Sequence, residues 1–212
     1  MAKRAYSPKD VANIKHRVLP FDGEWKEVFG EPEEGDPWFI SGGSASGKSS
    51  FVMQLAKKLC EIGSVLYVSL EEGVGLSMQR RLELFKMNEV QGKFRIITDG
   101  DLCALVKRLE KPKSAKFVIV DSYQYAFEAG WDYKSTLAVV NRFHHKTFFF
   151  VSQEDRGKPI GKAAIRLKYA AGVKVKTLGF RAYCQGRYGG QPGTYYTIWE
   201  EKTVEYWNAK SH

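Results

Sequence analysis

The chain has 212 residues, 43% of them hydrophobic and 14% aromatic, which suits one α/β domain with a small appendage and excludes a disordered chain. No apolar run approaches the roughly 18 residues that a membrane span needs, so no membrane partner is expected. The formal net charge of +9 is uneven: residues 156–212 hold eleven Lys/Arg against three acidic residues, leaving 22 against 21 in residues 1–155.

That concentration predicts contact with a polyanion such as nucleic acid, or else a solvated basic face. Cys60, Cys103 and Cys184 are far apart and lack metal-ligand spacing, so they read as free thiols in a reducing compartment. The N-terminus lacks the apolar stretch of a secretory signal, and a cytoplasmic location is expected.

In chain order, residues 1–20 are basic and aperiodic, an arm or linker that either docks on a neighbouring subunit or stays free. Trp25, Val28 and Phe29 mark one face of a short helix that Gly30 and Pro32 stop, and the acidic, Pro/Gly-rich residues 31–37 form a connector. Residues 1–35 are therefore set apart from a main domain of residues 36–212.

Trp38–Ile40 is a short buried strand, and a helical stripe begins at Phe51 with Val52, Leu55, Ala56 and Leu59. Between them Gly42-Gly43-Ser44-Ala45-Ser46-Gly47-Lys48-Ser49-Ser50 has the spacing of a phosphate-binding loop. Glycines there let consecutive N–H groups curl around a phosphate at a helix N-terminus. Lys48 is expected on the β- and γ-phosphates and the Ser49 hydroxyl on Mg²⁺.

Ser64–Leu70 is the next strand, with Glu71 and Glu72 just past its C-terminal end, where open parallel sheets bind ligands. A helix over 76–87 carries Arg80 and Arg81. Phe94–Ile97 is a strand and Leu102–Leu109 a helix. Lys116–Asp121 is an apolar run ending in an aspartate, the usual second carboxylate of a nucleoside-triphosphate site, here Asp121 at the Mg²⁺ shell.

A helix over 135–145 precedes the strand Thr147–Ser152, which ends at Gln153. The adjacent His144 and His145 read as a basic helix end, not as metal ligands. Residues 154–162 read as a polar, mobile loop beside the ligand-binding edge. From Val173 onward strict alternation predicts antiparallel strands: Val173–Lys176, part of Thr194–Trp199, and a short one over Thr203–Trp207.

This order of motifs resembles the RecA-like ATPases, most closely the core shared by RadA/Sms repair proteins and DnaB-type helicases, over about residues 25–199. The resemblance implies an α/β fold of RecA-like P-loop NTPase type, with a mostly parallel central sheet flanked by helices. The C-terminal antiparallel strands then form a basic extension (172–207) of the ATPase domain. It also implies ATP as the nucleotide, with Mg²⁺.

By the match of Val65–Glu72, Glu71 is the base that polarises the attacking water, with Glu72 the other carboxylate in reach. Arg80 falls where these families place an arginine near the nucleotide base. Val118–Gln124 resembles the RadA/Sms form of the Mg²⁺ strand. Val151–Gln153 resembles the strand end whose glutamine senses the γ-phosphate and signals to a DNA loop, here 154–162, with Arg156, Lys158 and Lys162 on phosphates.

Arg181–Gly189 is similar to the Lys-Asn-Arg-Phe-Gly motif of RadA/Sms. Arg187 matches its arginine, a finger acting on the neighbouring subunit's γ-phosphate, whereas Gln185 stands where the family has lysine. The cysteine motif and protease-like domain of RadA/Sms and the helical domain of DnaB are not matched. The implied function is an ATP-hydrolysing protein that self-associates into a ring or filament on single-stranded DNA for recombination, repair or annealing. Two others are a DnaB-type helicase motor and an ATP-dependent regulatory module acting on proteins.

Overall fold

The computed structural model describes residues 5–210. The first four residues of the expected arm lie outside that range. In chain order the strands are β1 (Trp38–Gly42), β2 (Val65–Ser69), β3 (Phe94–Ile97), β4 (Phe117–Asp121), β5 (Thr147–Asp155), β6 (Lys158–Pro159), β7 (Val173–Leu178), β8 (Arg181–Cys184) and β9 (Tyr196–Thr197). The helices are α1 (Pro8–Ala12), α2 (Gly23–Phe29), α3 (Lys48–Ile62), α4 (Leu76–Leu84), α5 (Leu102–Leu109), α6 (Tyr123–Ala126), α7 (Tyr133–Arg142), α8 (Lys162–Ala170) and α9 (Glu200–Lys210).

The sheet runs β3-β2-β4-β5-β1-β7-β8-β9, with β6 paired to the end of β5. From β3 to β7 every pairing is parallel, and β8 and β9 are antiparallel additions at the edge. The central strands alternate large apolar side chains to both faces, because each face is covered. Trp38, Ile40, Tyr67, Ile119, Phe149 and Val175 join one core with α2 and α3. Phe39, Val68, Val120, Phe148 and Phe150 join a second with α5, α7 and α8.

α2 docks through aromatic contacts: the Trp25 ring lies 4.6 Å from that of Tyr196 and 5.9 Å from that of Phe51. Leu19, Phe21, Val28 and Phe29, all within the expected arm, are buried in the first core. A backbone hydrogen bond from Leu19 to Pro32 and the bridge Val18–Glu33 fasten this segment. Only α1, held by a Ser7/Asp10 capping box, buries nothing.

Four sequence expectations need correction or completion. β7 belongs to the parallel sheet as well as to the antiparallel extension: it pairs parallel to β1, Trp38 opposite Val173 and Gly42 opposite Thr177, and antiparallel to β8. Its Val-Lys-Val-Lys alternation marks a strand fully covered on one face only. Residues 203–207 are helical, in α9, because Thr203, Tyr206 and Trp207 fall at the spacing of one helix face turned onto the β7–β8 turn.

The polar stretch 154–162 is not an irregular loop. β5 continues to Asp155 and pairs with β6, Asp155 opposite Lys158. The two turn residues, Arg156 (φ 48°) and Gly157 (φ 77°), both take the left-handed conformation that a tight two-residue hairpin needs. α8, for which no element was expected, follows directly and buries Ala164 and Leu167.

Candidate nucleotide site

The phosphate loop leaves β1 at Gly42 and enters α3 at Lys48. A side chain at residue 42 is impossible without rearrangement: a Cβ would lie 2.1 Å from Thr177 Oγ1 and 2.7 Å from Ser46 Oγ. Gly47, at φ 90°, sits under Phe180 and Ile198. The loop is braced from β7 and the turn after it. Ser46 Oγ and Thr177 Oγ1 are 2.8 Å apart, and the Phe180 N–H donates to the Ser46 carbonyl at 3.2 Å. Gly43 is partly open, Ser44 and Ala45 are exposed, and Ala45 is left-handed (φ 56°). Lys48, Ser49 and Ser50 form the first turn of α3, half-buried along the loop. This is a backbone cradle at a helix N-terminus with small residues on its open side, the shape an anionic phosphate chain requires.

Asp121 ends β4 opposite Ser69, at the same edge of the sheet. Its carboxylate accepts a hydrogen bond from the Tyr67 hydroxyl, which comes from the middle of β2. Loss of solvent pushes the Asp121 carboxyl above the usual aspartate range. The Tyr67 hydrogen bond and the Lys48 charge pull it down, and Glu71 pushes it up. Lys48, Glu71 and Asp121 therefore share one electrostatic field. A desolvated carboxylate within the field of the loop's lysine fits a hard divalent cation with phosphate oxygens, which would reverse that upward push.

Glu71 and Glu72 separate clearly. Glu72 is held by Arg81 in a two-pronged ion pair, 2.7 and 2.8 Å, with a further hydrogen bond from Ser77. Glu71 is exposed and accepts one hydrogen bond, 2.6 Å, from the buried Ser122 hydroxyl. Of the two carboxylates, Glu71 is the one whose second oxygen carries no such clamp. Arg81, which received no role from the sequence, is the arginine turned inward, while Arg80 is exposed on α4.

The Arg81 ion pair holds the Glu72 carboxyl below its usual 4.5, so its contribution to stability is full above pH 4.5 and fades as the pH falls below that value. Glu72→Gln is expected to cost about 0.5–1 kcal/mol at pH 7 for such a partly exposed pair. Thermal unfolding of the two proteins should converge as the pH drops below 4.5, and a constant difference would show that the pair is not the cause.

Gln153 lies opposite Gly42 on the neighbouring strand, so the expected sensor and the phosphate loop are in register. Its N–H donates to Gln124 Oε1 at 3.1 Å and its carbonyl accepts from Ile160 at 3.0 Å, linking it to α6 and to the far side of the hairpin. Arg156, Lys158 and Lys162 are all exposed, the first two on the hairpin and the third at the start of α8. Between Gln153 and the hairpin tip sits a residue that nothing in the sequence singled out. Glu154 is buried, its side chain 3% exposed, and takes hydrogen bonds from Ser41 (2.8 Å) and Lys168 (3.2 Å), with Lys176 Nζ at 3.8 Å.

Arg187 is not brought to its own chain's phosphate loop. Its N–H donates to Gly172 at 2.9 Å, and Gly172 in turn donates to Pro37, at the start of β1. The loop leaves the other end of that strand, roughly 15 Å away at about 3.3 Å per residue. Gln185 is exposed beside it, its N–H on the Lys174 carbonyl. Ser122, Tyr67, Thr177 and Phe180 were also missed. A polar tip inside an otherwise apolar strand, as in Val65-Leu-Tyr-Val, was the one available signal, and it pointed to Tyr67.

No family model matches the chain. Over 118 residues, 55% of its length, it is 31% identical to the DNA repair protein RadA of Streptococcus pyogenes serotype M6, and equally to that of serotype M1. That segment is 25% of RadA, so the chain spans about a quarter of the length of the curated relatives it matches. Among solved structures it is similar to the flagellar accessory protein FlaH of Methanocaldococcus jannaschii: TM-score 0.61, 18% identity, 86% of this chain and 92% of FlaH. A KaiC-like protein of Pyrococcus horikoshii OT3 gives TM-score 0.56 and 18% identity over 84% of this chain and 91% of that one. No helix among the described residues is long and apolar enough to cross a membrane. The strand order and the likeness to these two solved structures show a RecA-like fold, with a loop of phosphate-binding spacing between β1 and α3.

Proposed function

We propose that this chain hydrolyses ATP at the β1–β2–β4 edge and uses the nucleotide state to control a grip on single-stranded DNA, in recombination, repair or strand annealing. Lys48 holds the β- and γ-phosphates, and Ser49 and Asp121 hold Mg²⁺. The cation, when bound, neutralises charge on the phosphate oxygens. Glu71, kept in place by Ser122, accepts the proton of the attacking water, and Gln153 reads whether the terminal phosphate is present. Arg187 acts on the site of an adjoining copy, in a ring or filament, because its own loop is at the other end of the sheet.

The observation that carries the DNA part is continuity. The residue opposite Gly42 is Gln153, and two residues further the same strand enters a hairpin bearing Arg156 and Lys158. A change at the phosphate is therefore passed to cations suited to a nucleic-acid backbone, whose binding is salt-dependent and largely indifferent to sequence. The similarity to RadA, a DNA repair protein, supports the same reading.

The test is steady-state ATP hydrolysis with and without single-stranded DNA, using Lys48→Ala as the blank. Stimulation by DNA that disappears in Lys48→Ala is the expected result. Equal rates with and without DNA, together with no measurable DNA binding at low salt, would remove DNA from the reading and favour a nucleotide-dependent module acting on protein.

A further inference from the structure

The alternation of β7 leaves one face of the sheet edge only partly covered, α9 reaching it at the Arg181 end. Val173 and Val175 point into the first core, and Ala182 of β8 does the same. Their neighbours face the other way: Lys176 is directly opposite Tyr183, and Leu178 is opposite Arg181. In antiparallel pairs opposed residues share a face, so these side chains form rows across the strands. The Tyr183 ring lies 5.7 Å from that of Tyr195, which leads into β9. The Arg181 guanidinium is 4.1 Å from the Tyr195 ring centre and 4.7 Å from that of Trp207 on α9. Its Nε is buried with no hydrogen-bond acceptor among the described residues.

None of these groups is sealed in. Tyr195 and Leu178 are more than a third exposed, and Lys174, Lys176, Arg181 and Tyr183 are half-buried. The charge of the surrounding sequence has a single sign: from Arg156 to Trp199 there are nine Lys/Arg and no Asp or Glu. The buried Glu154 engages Lys168 and Lys176, Lys174 Nζ donates to the Ala171 carbonyl at 2.9 Å, and among the described residues no carboxylate forms an ion pair with Lys174 or Arg181. Partly exposed aromatic rings set among cations that no carboxylate pairs suit a ligand that is both polyanionic and rich in free π-faces. An acidic protein would use the charge and leave the tyrosines unmatched. A duplex keeps its bases stacked on one another.

We propose that the partly open face of β7, β8 and β9 is a second contact surface for single-stranded nucleic acid, separate from the hairpin. Unpaired bases stack on Tyr183 and Tyr195, and backbone phosphates lie along Lys174 and Arg181. The proposal rests on the DNA reading above and names where, besides the hairpin, the strand is held.

The experiment uses the full chain and two labelled oligonucleotides of equal length, oligo-dT and its abasic counterpart, in fluorescence anisotropy. Tyr183→Ala combined with Tyr195→Ala is expected to weaken oligo-dT binding tenfold or more and to leave abasic binding unchanged, because only the stacking is lost. Tyr183→Phe with Tyr195→Phe keeps the rings and should bind as wild type. Lys174→Gln should reduce the salt slope for both oligonucleotides by about one. If the alanine pair binds oligo-dT like wild type while Arg156→Ala with Lys158→Ala weakens it, the surface is refuted and the DNA reading stands. Equal losses on both oligonucleotides indicate structural damage, and a changed sedimentation state with unchanged oligo-dT affinity indicates an interface between copies. Either result overturns the proposal. If wild type binds neither oligonucleotide, the DNA reading falls and this surface with it.

Discussion

Glu71→Gln is expected to lower steady-state ATP hydrolysis by about 10²–10⁴-fold while nucleotide affinity stays within a few-fold of wild type. The substitution keeps the size and the hydrogen bond from Ser122, so the cradle is undisturbed, and removes only the capacity to take a proton. Glu72→Gln is the informative companion. Its carboxylate is already committed to Arg81 through two hydrogen bonds, so its loss shifts stability and leaves the proton acceptor in place. Rapid-quench hydrolysis and fluorescent-nucleotide titration of the two variants separate chemistry from binding. A slow Glu72→Gln beside a fast Glu71→Gln would exchange the roles assigned to the pair.

Arg187→Ala should cost about 10³–10⁵ in the rate of the assembled protein, the range for a cation supplied in trans to a transferring phosphoryl group. Its position makes the sharper claim. The arginine is tied by its backbone to Gly172, below the start of β1, so no side-chain rotation carries it to the loop above Gly42. Mixing should therefore rescue activity. Arg187→Ala subunits have an intact loop, Lys48→Ala subunits have an intact arginine, and each is inactive alone. Their mixture should regain a fraction of the wild-type rate. No recovery at any ratio, with both variants able to assemble, would mean that Arg187 does not act on another copy.

What the sequence made legible was governed by local signals. The phosphate loop, β1, β2 and β4 were readable because short apolar runs end in characteristic residues, Gly42 and Asp121 among them. The hairpin after Gln153 was not, because Glu-Asp-Arg-Gly-Lys looks like solvent-facing chain. Its order comes from the deep burial of Glu154 under Ser41, Lys168 and Lys176, partners 113, 14 and 22 residues away. α9 was misread because Thr203-Val-Glu-Tyr-Trp207 has the composition of a strand. Glu200 and Glu201 in its first turn, Lys210 in its last, and the docking face of Thr203, Tyr206 and Trp207 override that local preference. The alternation of β7 pointed to its antiparallel pairing with β8 but not to its parallel pairing with β1. Its one-sided covering reports a partly open sheet face, and the direction of a neighbouring strand is not encoded in it.

Under trans action, the placement of Arg187 at one pole and the phosphate cradle at the other would also set how copies count one another. With Arg187 acting in trans, each contact joins two unlike surfaces, so pairing is heterologous: a closed ring completes every site, and an open row never does. A row always ends on one cradle that no arginine reaches. Specific activity would then climb with protein concentration as rows lengthen, and the idle terminal cradle would become a negligible share of the total. A free subunit, whatever its affinity for nucleotide, would hold its substrate and wait.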